Sequence, residues 1–113
     1  MARLTYLELP VGGTDAAKRF YADAFGWTFT DFGPTYAATT SGDTDIGFQA
    51  DPEERSAGPL AVIQVDDLDA TLAAVVGAGG TVTAPIFAFP GGRRFHCSDR
   101  DGHELAAMQP GGE

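Results

Sequence analysis

The sequence predicts an α+β fold made of two βαβββ units. Three observations carry that expectation: short runs of alternating apolar and polar residues, a helical pattern placed alike after the first strand of each half, and a gap-free correspondence between the halves, from first strand through helix, at an offset of 54 residues. With 113 residues, 43% of them hydrophobic, the chain is expected to be a single domain spanning 1–113. Unit one is read over residues 3–50, a linker over 51–59 and unit two over 60–109.

Leu4 to Val11 alternates, with Leu7, Leu9 and Val11 on one side and Tyr6 and Glu8 on the other, the signature of a half-buried strand. Thr14-Asp15 offers an N-cap to a helix carrying Ala17, Phe20, Tyr21, Ala24 and Phe25, and Gly26 offers its C-terminal stop. Trp27 to Thr30, Thr35 to Thr40 and Ile46 to Gln49 read as three strands separated by Gly33-Pro34 and Ser41-Gly42-Asp43 turns. Asp51 to Pro59 is polar and proline-bounded, as a linker is.

The order then repeats. Leu60 to Val65 is a strand, Asp67 an N-cap, and Leu68, Leu72, Val75 and Val76 a helical stripe ending in Gly77 to Gly80. Thr81 to Phe89 is strand-like, with Pro85 marking a bulge or an edge. Arg93 to Ser98 and Glu104 to Gln109 complete the unit across an Asp101-Gly102 turn. At the 54-residue offset Tyr6 falls on Leu60, Leu9 on Ile63, Val11 on Val65, Asp15 on Asp69 and Gly26 on Gly80. A unit of about 55 residues buries its sheet face poorly alone, so the two are expected to share a core.

Composition narrows the function classes. Seven basic against 16 acidic residues give a net charge of −9, which repels phosphate backbones, so nucleic acid is not an expected partner. The apolar runs are too short to cross a bilayer, so no membrane partner is expected either. One cysteine, Cys97, leaves no disulfide framework or cysteine-rich zinc site. Without a hydrophobic leader at the N-terminus, the expected compartment is the cytoplasm.

The segments LELPVGGTDAAKRFYADAFGW and GRRFHCSDRDGHELAAMQ resemble the vicinal oxygen chelate superfamily: glyoxalase I, extradiol dioxygenases and bleomycin-resistance proteins. The resemblance extends over residues 3–109. It implies that the two units form a cupped eight-stranded mixed sheet with helices on the convex face. By strand parity Tyr6, Glu8, Leu60, Val62 and Gln64 would then face the cavity, as would Arg94, His96 and Ser98, while Phe95 and Cys97 face the core. Glu104, Ala106 and Met108 share one side of the last strand.

Metal-dependent members of the family carry a His or Gln on the first strand and a Glu on the last strand of each unit. The matching positions here are Tyr6, Leu60, Ala106, and Ile46 or Phe48, so neither a metal nor any other cofactor is expected. Glu8, His96 and Glu104 would offer a substitute donor set on the inward face, but no spacing rule makes them converge, and they read instead as polar residues at the cavity rim. Asp99-Arg100-Asp101-Gly102 lacks the spacing of a calcium loop and reads as a hairpin turn, with His103 a surface residue beside it.

The cavity wall is accordingly assigned to Tyr6, Trp27, Tyr36, Phe48, Leu60 and Met108, with Glu8, Gln64, His96 and Glu104 orienting the ligand. No catalytic residue is assigned. The expected function is that of a bleomycin-resistance type protein: metal-free, homodimeric, sequestering a hydrophobic or aromatic small molecule, with a cationic one suited to the −9 charge. The alternative is a glyoxalase-like lyase or isomerase, or a dioxygenase-related enzyme, using a divergent metal or Glu8 and Glu104 with His96 as acid–base groups. A third reading fills the cup with its own side chains and leaves a protein-interaction surface.

Overall fold

A computed structural model of the chain describes residues 2–111. It has the α+β class, with two helices and eight strands among the described residues, in the order β1 (Arg3–Pro10), α1 (Thr14–Phe25), β2 (Thr30–Asp31), β3 (Tyr36–Ala38), β4 (Asp45–Gln49), β5 (Leu60–Gln64), α2 (Leu68–Gly77), β6 (Thr81–Phe89), β7 (Gly92–Ser98) and β8 (Glu104–Pro110). The chain divides into two compact units: Tyr6–Leu60, and Ala61 onwards with the N-terminal residues up to Thr5. No described helix is long and apolar enough to cross a membrane.

In the first unit the strands run β2-β3-β4-β1, with β1 and β4 parallel and the other pairs antiparallel. In a ladder, residues in register share a face. Leu7 and Leu9 therefore side with Ile46 and Phe48, and Tyr6 and Glu8 side with Asp45 and Gly47. Helix α1 covers the Leu9 and Phe48 side: the Tyr21 ring lies 5.3 Å from that of Phe48. Gly26 ends α1 in the left-handed conformation at φ 75°, and its N–H bonds Ala22 O at 2.9 Å, a cap that side-chain-bearing residues adopt at a cost.

The helix begins one residue earlier than the sequence suggests. Thr14 is already helical and buried, so its hydroxyl makes no cap, and extended Gly13 stands at the N-cap instead. The strand expected over Trp27 to Thr30 shrinks to Thr30–Asp31, because the Trp27 and Phe29 rings are drawn onto Tyr21 and Phe48 and the backbone between them leaves the ladder. The linker also differs from a free tether. It turns on Asp51, whose carbonyl accepts from Glu54 and Arg55 N–H, and Arg55 Nη1 donates to Val11 O at 2.8 Å.

The second unit repeats the arrangement as β5-β8-β7-β6, with β5 and β8 parallel. Asp67 caps α2 as expected, accepting from Ala70 N at 3.1 Å. Gln109 supports the same turn: its side-chain carbonyl accepts from Leu68 N at 2.8 Å. Under α2 lies a core of Val65, Leu68, Phe95, Cys97 and Ala107, flanked by Ile63, Leu72, Val75, Ile86 and Leu105. Burying a side chain such as Phe95 contributes about 1.5–3 kcal/mol. Around Pro85 the β6–β7 register shifts twice, between Val82 and Ala84 and between Ala84 and Phe87, an irregularity suited to a residue that has no N–H for the ladder.

Candidate functional site

Each unit has a face that its helix leaves uncovered, and the polar residues of strand parity lie there. In the first unit this face carries Tyr6, Glu8, Tyr36, Ala38, Gly47 and Gln49. Glu8 is only 3% exposed. Tyr36 Oη donates to Glu8 Oε1 at 3.0 Å. That bond uses the only phenolic proton of Tyr36, so in the 2.6 Å contact between the two hydroxyls Tyr6 is the donor. The result is a relay from Tyr6 to Tyr36 to the Glu8 carboxylate. Burial, and then the negative charge of Glu8, push the Tyr36 phenol well above its ordinary range, so it stays a donor.

Gly47 makes room for this cluster. A Cβ at that position would fall on the hydroxyls of Tyr6 and Tyr36. The relay therefore depends on the absence of a side chain on the strand beside it. Glu8, almost wholly buried, accepts from Tyr36 and orients that phenol.

In the second unit the uncovered face carries Val62, Gln64, Arg94, His96, Ser98, Glu104, Ala106 and Met108, all in register. His96 Nδ1 stands 3.5 Å from Glu104 Oε2, the outer limit of a hydrogen bond, and its buried Nε2 has no partner among the described residues. The Phe87 ring, 39% exposed, lies 5.8 Å from the imidazole. The Arg94 guanidinium sits 5.4 Å from the centroids of both Phe87 and Phe89, in cation–π range. Phe87 and Phe89 are the site candidates that sequence reasoning missed: the double register shift hides their alternation, and only pairing with β7 reveals the face.

Two expected wall residues lie away from the uncovered faces, and a third shares the side of Val62 but is wholly buried. Phe48 is fully buried on the helix-covered side, in register with Leu9 and packed on Tyr21 and Phe29 at 5.3 and 5.1 Å, so it is core and not wall. Trp27 stacks on Tyr21 at 5.7 Å and 8°, against α1, and is not part of the Tyr6–Tyr36–Glu8 group. Leu60 begins β5 with no exposed surface and can only fill space. Gln64 and Met108 are half-buried partners across β5 and β8.

The family's metal positions do not fit a metal here. Ile46 and Phe48 lie on the helix-covered face, and the β4 residue beside Glu8 on the uncovered face is Gly47. The same register in the second unit sets Ala106 beside Val62. Leu60, Ala106 and Gly47 have no donor atoms on their side chains, and the Tyr6 hydroxyl is committed to Tyr36. Asp99, Asp101 and His103 do bring donor atoms together. They are exposed and serve the hairpin: Asp99 accepts from the Asp101 and His103 backbone N–H groups and pairs with His103 Nδ1 at 2.9 Å. That pairing holds the Asp99 carboxyl below its usual range.

Comparison with known proteins agrees with the fold. The chain is similar to a glyoxalase/bleomycin resistance protein/dioxygenase superfamily member from Vibrio splendidus 12B01, at 14% identity and a TM-score of 0.74 over 97% of this chain and 99% of that one. It is also similar to methylmalonyl-CoA epimerase from Mycobacterium tuberculosis, at 17% identity and a TM-score of 0.73 over 96% and 88%. A third similar structure is the Mn(II)-bound glyoxalase from Novosphingobium aromaticivorans, at 23% identity and a TM-score of 0.69 over 96% of this chain and 40% of that one. At these identities the likeness is one of fold. No curated protein matches the chain. The family model covers residues 3–107, and the chain belongs to the Glyoxalase/Bleomycin resistance protein/Dioxygenase superfamily.

Proposed function

We propose that the protein binds a hydrophobic or aromatic small molecule without a metal, in the manner of a bleomycin-resistance protein. One observation carries this reading: the family's donor positions fall on Leu60, Ala106, and Ile46 or Phe48, whose side chains have no donor atoms, and the remaining one, Tyr6, is engaged in the Tyr6–Tyr36–Glu8 relay. Half-buried Tyr6 and Tyr36, with Phe87, His96 and Met108, supply aromatic and polarisable contact surface. Gln64, His96 and Glu104 supply orientation, and the net charge of −9 favours a cationic ligand. Exposed Phe20 and Phe32 support a homodimer, and the one buried thiol, Cys97, is compatible with the cytoplasm.

Thermal shift on chelator-treated protein tests this reading. A ligand at about 100 times its Kd adds roughly 2.7 kcal/mol, on the order of 10 °C in a domain of this size. Cationic aromatic or peptidic drugs are expected to raise Tm without added metal. A rise with Mn²⁺, Ni²⁺ or Zn²⁺ and none with drugs overturns the proposal.

The His96–Glu104 approach favours a second reading, an acid–base enzyme. A carboxylate at Nδ1 would leave Nε2 of the neutral ring as a base. That reading needs a turnover that His96→Gln abolishes and Glu104→Gln slows. Ligand binding with no proton-transfer activity speaks for the binder.

A further inference from the structure

Beyond Gly26, where α1 ends, the first unit holds a cleft of about 650 Å³ that is separate from the Tyr6–Tyr36–Glu8 cluster. Trp27 and Ile46 form its apolar wall. Thr28, Thr39, Thr40, Ser41 and Thr44, all hydroxyl-bearing, also line it. The volume is in the range of small-molecule sites, while the lining is far richer in hydroxyls than an apolar pocket.

The wall is preorganised. Trp27 stacks on Tyr21 at 5.7 Å and on Phe25 at 5.2 Å, and is still 37% exposed. An indole held in this way presents its surface without losing rotamer freedom on binding.

The hydroxyls are partly committed, which defines what they can accept. Thr39 Oγ1 and Ser41 Oγ donate to Asp45 Oδ1 at 2.7 and 2.8 Å. Asp45 also takes the N–H groups of Ser41 and Gly42, at 2.8 and 3.2 Å. Thr39 Oγ1 and Ser41 Oγ each accept one backbone N–H, from Ile46 and Asp43, and each keeps a second lone pair. Thr28, Thr40 and Thr44 make no side-chain hydrogen bond among the described residues, so each offers both a donor and an acceptor.

The ligand class follows by elimination. No basic side chain lines the cleft to receive an anion, and Asp45, the carboxylate bound to its rim, is occupied by four donors. A wholly apolar ligand would strip water from the three uncommitted hydroxyls, those of Thr28, Thr40 and Thr44, without replacing it. A neutral ring with one C–H face and hydroxyls at its edge satisfies both parts. We propose that this cleft binds a pyranose sugar, its C–H face on Trp27 and its hydroxyls among Thr28, Thr40, Ser41 and Thr44. The proposal is independent of the ligand on the uncovered sheet face.

Trp27 is the only tryptophan, so its fluorescence reports on this cleft. Methyl pyranosides of glucose, galactose and mannose, titrated into the whole chain, are expected to change its emission saturably, with a dissociation constant on the order of 1 mM for at least one of them. The double variant Thr40→Val/Thr44→Val alters two exposed residues and is expected to keep its far-UV circular dichroism while weakening that binding about tenfold. The proposal is overturned if no sugar gives a saturable change up to about 100 mM, or if the double variant binds as well as the original chain.

Discussion

Tyr36 donates its phenolic proton to Glu8, 28 residues away in sequence, at 3.0 Å on the uncovered face of the first unit. The acceptor is a carboxylate almost wholly withdrawn from water, so the bond is of the charge-assisted kind, worth about 1.5–3 kcal/mol. Tyr36→Phe is therefore expected to lower unfolding free energy by about that amount in urea denaturation. A loss below about 0.5 kcal/mol would mean the bond contributes nothing beyond what water supplies.

Gly47 and the two phenols form a second coupled set. Gly47→Ala places a methyl group where the Tyr6 and Tyr36 hydroxyls lie, and overpacking of this kind costs about 1–3 kcal/mol. Combining it with Tyr36→Phe removes one of the colliding oxygens. The pair is expected to destabilise less than the sum of the single changes, by about 0.5–3 kcal/mol in a double-mutant cycle. Strict additivity would show that the methyl group is accommodated elsewhere.

The relay also has a pH signature. Burial, then the Glu8 charge, raise the Tyr36 phenol above its unfolded value of 10.0. A group raised in the folded state stabilises fully below its unfolded pKa and loses that contribution as pH rises through the folded one. Stability is thus expected to fall above about pH 10, and phenolate absorbance should show one tyrosine that ionises only with unfolding. All three tyrosines titrating together in native protein would contradict the relay.

Cys97 gives a readout of the second unit's core. It packs with Phe95 and Leu68 under α2, and burial first, then Asp99 and Glu104, push its thiol up. A disulfide reagent at mildly alkaline pH is expected to release one equivalent rapidly in denaturant and only slowly from the native chain. Equal rates would place the thiol at the surface.

Much of this was legible in the sequence because period-2 alternation assigns faces without any contact being known. Phe95 and Cys97 under the helix, Arg94 and His96 opposite, and Glu104, Ala106 and Met108 together all follow from it. Reading failed where a strand had no alternation to count. Ile46-Gly47-Phe48 has apolar residues flanking a glycine, and only the pairing of Leu9 with Phe48 shows that Phe48 faces α1 and that Gly47 is the residue of interest. The strand expected over Trp27 to Thr30 fails for a related reason: the Trp27 ring is captured by Tyr21 of the preceding helix, a tertiary contact that overrides its strand propensity. The function of Glu8 as a buried partner of Tyr36 needs two residues from distant strands, which no local spacing encodes.

Under the proposed function this member of the superfamily binds its ligand without a metal. Equilibrium dialysis of chelator-stripped protein against Mn²⁺, Ni²⁺ and Zn²⁺, followed by ligand thermal shift on the same samples, tests it most directly. The account predicts no stoichiometric metal and a drug-induced rise in Tm that is the same with and without the ions. One tightly held equivalent of metal, or a rise that appears only when the ion is present, would contradict it.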